Sequence, residues 1–204
     1  MPAPQPAAPS SLSITLQIVS IVFYTFIAFI CIGLPIAVIP GYVHGELGFS
    51  AVIAGITIGS QYLATLLSRP MAGRMSDNVG TKRAIVLGLS GILLSGVLTF
   101  IATLVQSLPL LSLGILIVGR LLLGVAQGLI GVGTISWCMG AVGAEHTARS
   151  ISWNGIASYG AIAIGAPLGV VMVADYGYTS LGVALTVLSA LGLLLIRNKP
   201  SVPV

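Results

Sequence analysis

Six stretches of this chain are each long and apolar enough to cross a bilayer, and that constraint removes most folds at once. A spanning helix needs about 20 mostly apolar residues. The stretches run over residues 14–39, 51–68, 84–105, 110–136, 151–174 and 179–196. Lipid offers no partner to a bare backbone N–H or C=O, so each stretch must satisfy its own backbone as a helix. Only 6% of the 204 residues are charged, against about a quarter in a soluble domain. Such a chain cannot cover a surface that faces water. The expected fold is an all-α membrane protein with six transmembrane helices in one bundle over 14–196. Residues 1–13, rich in Pro, Ala and Ser, read as a disordered cytoplasmic tail, and 197–204 as the start of a cytoplasmic linker.

The connections differ in charge. Pro40 to Ser50, Gln106 to Pro109 and Asp175 to Ser180 carry no Lys or Arg. Arg69, Arg74, Lys82, Arg83, Arg149, Arg197 and Lys199 all fall on the other side. Basic residues stay cytoplasmic, so both termini are expected inside, in a multi-pass protein of the inner (plasma) membrane. The net charge of +4 does not suggest nucleic acid as a partner, because the basic residues are few and border apolar runs. The expected surroundings are the lipid bilayer.

Arg120 is the eighth basic residue and lies inside the fourth span. An arginine at mid-bilayer costs at least ~2.5–3.5 kcal/mol on insertion scales, so it should face a protein interior or a watery cavity. Gly124 and Gly128 follow it at i+4 and i+8, on the same helix face. Small residues so placed allow close helix packing.

The stretch "GRMSDNVGTKR" holds Gly73, Asp77, Gly80, Lys82 and Arg83 in an ordered pattern. It resembles the signature loop between the second and third helices of the major facilitator superfamily. Asn78 and Thr81 stand where that pattern has basic residues. Gly73 would admit a neighbouring helix, Gly80 a tight turn, and Asp77 could cap a helix N-terminus. The resemblance implies a conformational latch between two halves of a transporter. "GRLLLGVAQG", from Gly119, resembles the fourth-helix motif of the same family, which implies a part for Arg120 in coupling. "GAIAIGAPLG", with Gly160, Gly165, Pro167 and Gly169, resembles the glycine–proline motif of the family's antiporters, although Ala166 separates the usual Gly-Pro pair. The wording along all six spans is similar to the arabinose-efflux-like permeases, the YfcJ/YhhS group.

The resemblance implies two six-helix bundles, each built from 3+3 inverted repeats, of which this chain supplies the first. Its expected partners are a small-molecule substrate and either a C-terminal six-helix half or a second copy of the chain. A short echo of "SDNVG" in "ADYGY" (Ala174 to Tyr178) fits such a repeat. Polar residues concentrate in spans one, two, four and five, which line the cavity in the family: Tyr24 and Thr25, Gln61 and Thr65, Arg120 and Gln127, Asn154 and Tyr159. Tyr24, Gln61, Arg120, Gln127, Asn154 and Tyr159 are the candidate cavity and coupling residues. Gly124, Gly128, Gly160, Gly165, Pro167 and Gly169 are the candidate packing positions.

All four acidic residues, Glu46, Asp77, Glu145 and Asp175, lie in turns or at span ends. Either proton coupling draws its carboxylate from the other half, or the chain is not proton-coupled. The expected function is secondary active transport by alternating access, with efflux of a small organic solute. A non-transporting fragment or assembly subunit is the second reading. An intramembrane hydrolase is a remote third. Ser158 sits in "IASYG", but Ile156 replaces the glycine of a nucleophile elbow and no histidine lies in a span. No enzyme activity is expected. Cys31 and Cys138 lie in separate spans without metal-ligand spacing, so neither metal nor cofactor is expected.

Overall fold

The structure, a computed structural model, describes residues 10–200. Its helices are α1 (Ser11–Ile36), the short α2 (Ile39–Gly41), α3 (Ala51–Asn78), α4 (Thr81–Leu104), α5 (Pro109–Val142), α6 (Thr147–Tyr176) and α7 (Thr179–Arg197). A π-helical turn, Tyr42–Glu46, continues α2, and a 3₁₀ turn, Ala144–His146, precedes α6. Among the described residues six helical runs are long and apolar enough to span a membrane, the first extending from Ser11 to Glu46. No strand occurs among the described residues.

Local chemistry sets the helix starts. The Ser10 hydroxyl accepts from the Ser13 amide at 3.2 Å, and Ser50 accepts from Ile53 at 3.4 Å. Each satisfies an N–H that the first turn leaves open. Pro109 opens α5, where its missing N–H is not needed. The cap at Ser10 corrects the expected tail: residues 11–13 belong to α1, while 1–9 lie outside the described residues. Likewise "PGYVHGE" is helical rather than a loop and lengthens the first span.

Among the described residues four glycines have positive φ, and two of them mark corresponding turns. Gly80, between α3 and α4, has φ +109°, and Gly177, between α6 and α7, has φ +75°. Each ends the second long helix of a triplet. The last helical bond is made by Val79, just before Gly80, in the first (N to Met75 O) and by Gly177 itself in the second (N to Val173 O), each at 2.9 Å. The helix pairing follows the same symmetry. α1 packs on α6 and α3 on α5, two pairs that exchange when the first triplet (α1, α3, α4) replaces the second (α5, α6, α7). α4 packs against both α5 and α7.

Glycine lets these pairs come close. A Cβ added at Gly124 or Gly128 would strike the Gln61 carbonyl or the Ser68 hydroxyl of α3. One at Gly169 would overlap the Leu34 carbonyl of α1, and one at Gly165 would lie 3.0 Å from the Ile30 carbonyl. Gly33 answers from α1, its Cβ position 3.0 Å from the Ile162 backbone. Two expected packing positions do not pack: Gly160 has open space where a Cβ would go, and Pro167 is exposed. Both look away from α1 because they lie off the Gly165–Gly169 face.

Seven basic residues gather at one end of the bundle, called here the basic end. At the opposite end Tyr42 is buried. Its hydroxyl lies 3.0 Å from Ala102 O and 2.8 Å from Ser112 Oγ, and its ring is 5.0 Å from that of Tyr178. Burial and the nearby Glu46 carboxylate push the Tyr178 phenol above its usual range. Tyr42→Phe removes the bond between the first span and α4 and is expected to lower stability by about 1 kcal/mol. Thermal unfolding in detergent reads this directly, and an unchanged midpoint would exclude the tie.

Candidate functional site

A groove of about 670 Å³ opens between α3 and α5 on one side and α1 and α6 on the other. Its walls come from Phe29, from Tyr62 to Arg69, from Gln127 to Ile135 and from Ile151 to Ile162. Spans one, two, four and five therefore line it, and α4 and α7 contribute nothing. α6 begins at the basic end, so lining residues 151–162 lie roughly 6–23 Å from it along the helix. The groove occupies the basic half of the bundle.

One wall carries a polar chain. Arg120 Nη1 donates to Gln61 Oε1 at 3.0 Å, and Gln61 Nε2 donates to Gln127 Oε1 at 3.3 Å. Thr65 Oγ1 lies 3.1 Å from the same Gln127 oxygen and 3.0 Å from the carbonyls of Gln61 and Gly124. Gln127 and Thr65 reach the groove. Arg120 does not, which corrects the expectation that it faces the cavity. Only 2% of it is exposed, and its Nε and Nη2 have no hydrogen-bond partner among the described residues. The close α3–α5 approach seals the guanidinium between the helices. Gln61, equally buried at 2%, is its link to the groove.

The opposite wall is milder. Thr25 Oγ1 donates to Asn154 Oδ1 at 2.8 Å, joining α1 to α6 beside the groove. Tyr159 is 77% exposed and lines the opening. Tyr24 does not. It is buried and stacked on Trp137, centroids 6.1 Å apart and planes 6° apart, because its face of α1 meets α5 rather than α6. Ser158 donates to the Asn154 carbonyl at 2.8 Å. Both histidines lie in the end turns, His44 with Nδ1 2.6 Å from Phe49 O and His146 before α6, so no serine–histidine pair forms on this wall.

The first half of the signature stretch is helix, since α3 runs to Asn78. Only Val79 and Gly80 make the turn. Gly73 has open space at its Cβ position. Asp77 is exposed in the last turn of α3, and no side chain caps α4. Asp77 lies within α3, and the N-cap residue of α4 is Gly80, which has no side chain to cap with. Lys82 instead binds across the bundle: Nζ donates to the carbonyls of Arg197 at 3.2 Å and Lys199 at 2.5 Å. Arg83 is exposed.

The six spanning helices accord with a known membrane-protein family. The model of the Major Facilitator Superfamily matches residues 21–204. The chain belongs to the major facilitator superfamily. Over 198 residues it is 50% identical to an uncharacterized MFS-type transporter of Burkholderia mallei (strain SAVP1), covering 97% of this chain and 49% of that protein. Over 202 residues it is 51% identical to an uncharacterized MFS-type transporter of Pseudomonas aeruginosa (strain LESB58), covering 98% and 50%. The chain thus spans about half the length of these superfamily relatives.

Arg69 and Thr65 are groove residues that charge counting overlooks. Thr65 lies four and Arg69 eight residues after Gln61, on one helix face, and that spacing was the available signal. Read by charge alone, Arg69 is a topology marker.

Proposed function

We propose that this chain is one six-helix half of a secondary transporter that moves a small organic solute outward by alternating access. The observation that carries this is the groove, walled by α1, α3, α5 and α6 with no lining residue from α4 or α7. A second bundle seated there would close it into a central cavity. Alternating access needs two such bundles rocking around a shared site. The turn at Gly80, with Asp77 exposed beside it, would then meet the second bundle as a latch. Without that bundle, Tyr62 and Tyr159 present polar hydroxyls to lipid.

The test pairs this chain with the C-terminal half of the Pseudomonas aeruginosa relative. Cells making both halves should export at least one compound of a small-solute panel in an energy-dependent, saturable way, and the monomeric chain alone should export none. Saturable export by the monomer alone overturns the half-bundle reading. Export by a homodimer shows that two copies rebuild the cavity. No export by any pairing favours the assembly-subunit reading.

Orientation supplies a separate prediction. The basic end should be cytoplasmic. With Cys31 and Cys138 replaced by serine, Gly45→Cys should react with an impermeant thiol reagent on intact cells, and Asn78→Cys only after lysis. Both positions are exposed. The reverse pattern would invert the topology.

A further inference from the structure

We propose that the groove is a site for a small organic anion, held by the Gln127 amide at the end of a one-way donor relay from Arg120 and by the Arg69 guanidinium. The proposal rests on the transporter reading only for its biological purpose; the site itself follows from the relay.

The direction of the relay is fixed chemically. A guanidinium has donors and no acceptor. Gln61 must therefore turn its Oε1 to Arg120, which leaves its Nε2 to donate to Gln127. Gln127 must then present Oε1 inward, where Thr65 Oγ1 also approaches it. What remains of Gln127 for the groove is its amide N–H₂. Each link donates toward the groove, and a chain of aligned donors polarises its members. A buried cation thus reaches the groove as a strengthened N–H donor, although Arg120 itself is sealed off.

The rest of the lining agrees in sign. Arg69 lines the groove, and among the described residues no carboxylate does. Glu46 lies in the π-helical turn, Glu145 in the 3₁₀ turn, and Asp77 and Asp175 in the last turns of α3 and α6. Within low-dielectric walls such a charge imbalance acts strongly on a ligand. Phe29, Ile135, Ile151 and Ile162 give the same groove an apolar side, and Tyr62 and Tyr159 add rings. The ligand class that fits is a compact oxyanion head, such as a carboxylate, on an apolar or aromatic body.

Three aromatic probes of similar size and different charge test this: benzoate, benzamide and benzylammonium. The reporter is Gly155→Cys in a background with Cys31→Ser and Cys138→Ser, since Gly155 lines the groove and has room for a side chain. The chain, paired with the C-terminal half of the Pseudomonas aeruginosa relative so that the groove is closed from lipid, is placed in nanodiscs and the rate of maleimide labelling is measured, and co-purification of the two halves verifies the pairing. Benzoate should protect saturably, at a half-protecting concentration at least tenfold below that of benzamide, and benzylammonium should not protect. Arg69→Gln and Gln127→Leu should each raise the benzoate value at least tenfold, and Arg69→Lys less than threefold. Benzylammonium protecting as well as benzoate, benzoate protection surviving Arg69→Gln, or no benzoate protection at all would each overturn the anion site. Benzoate protection without flux in proteoliposomes of the paired halves keeps the site and removes the transport reading. Flux of cations alone does the reverse.

Discussion

Gly169→Ala is expected to separate α6 from α1, whereas Gly160→Ala, nine residues earlier on the same helix, is expected to do almost nothing. The methyl at position 169 would occupy the place of the Leu34 carbonyl oxygen, part of a helix backbone that cannot turn aside. Relief requires the two helices to part, and overpacking of this kind costs roughly 1–3 kcal/mol. Because Gly165 and Gly33 share the contact, the α1–α6 seam should loosen along its length. At Gly160 the methyl meets open space, so the change should stay within about 0.5 kcal/mol. Thermal unfolding of both variants in one detergent gives the comparison, with a disulfide trap between α1 and α6 as a second readout. Equal midpoints would mean that the seam is not held by this contact.

The second large effect concerns Gln61. Gln61→Leu leaves Arg120 Nη1 without its acceptor, alongside Nε and Nη2, which already lack one. A hydrogen bond to a charged group contributes about 1.5–3 kcal/mol, and a loss of that size is expected. The double variant Gln61→Leu/Arg120→Leu removes the stranded charge as well. Replacing both members of a buried polar pair by apolar groups is often nearly neutral, so the double variant should recover more than half of the loss. The two substitutions should therefore be strongly non-additive. Additive effects would show that Gln61 and Arg120 are not coupled. Transport by the paired halves should be lost in the single and the double variant alike, because neither restores a donor to Gln127. Recovery of export with recovery of stability would leave the relay a merely structural device.

Hydrophobicity and turn chemistry determined much of this protein before any packing was known. Six apolar runs in a chain with 6% charged residues can only be spanning helices. Gly80 and Gly177 end helices as their residue type requires. The fourth-span glycines announced a tight helix contact, and the signature stretch pointed to the superfamily. Tertiary structure decided which of several equivalent residues meet a neighbour. Gly160 and Gly169 read alike in one dimension and differ because only one face of α6 meets α1. Tyr24 and Tyr159 are both polar aromatics in cavity-lining spans, yet one is stacked on Trp137 and the other opens to the groove. Arg120 was legible as a buried cation, but its distance from the groove was not, because the seal depends on how closely α3 rides on the glycines of α5. Arg69 passed as a topology marker for the converse reason: a charge near a span end looks the same from the sequence whether it faces lipid headgroups or a groove.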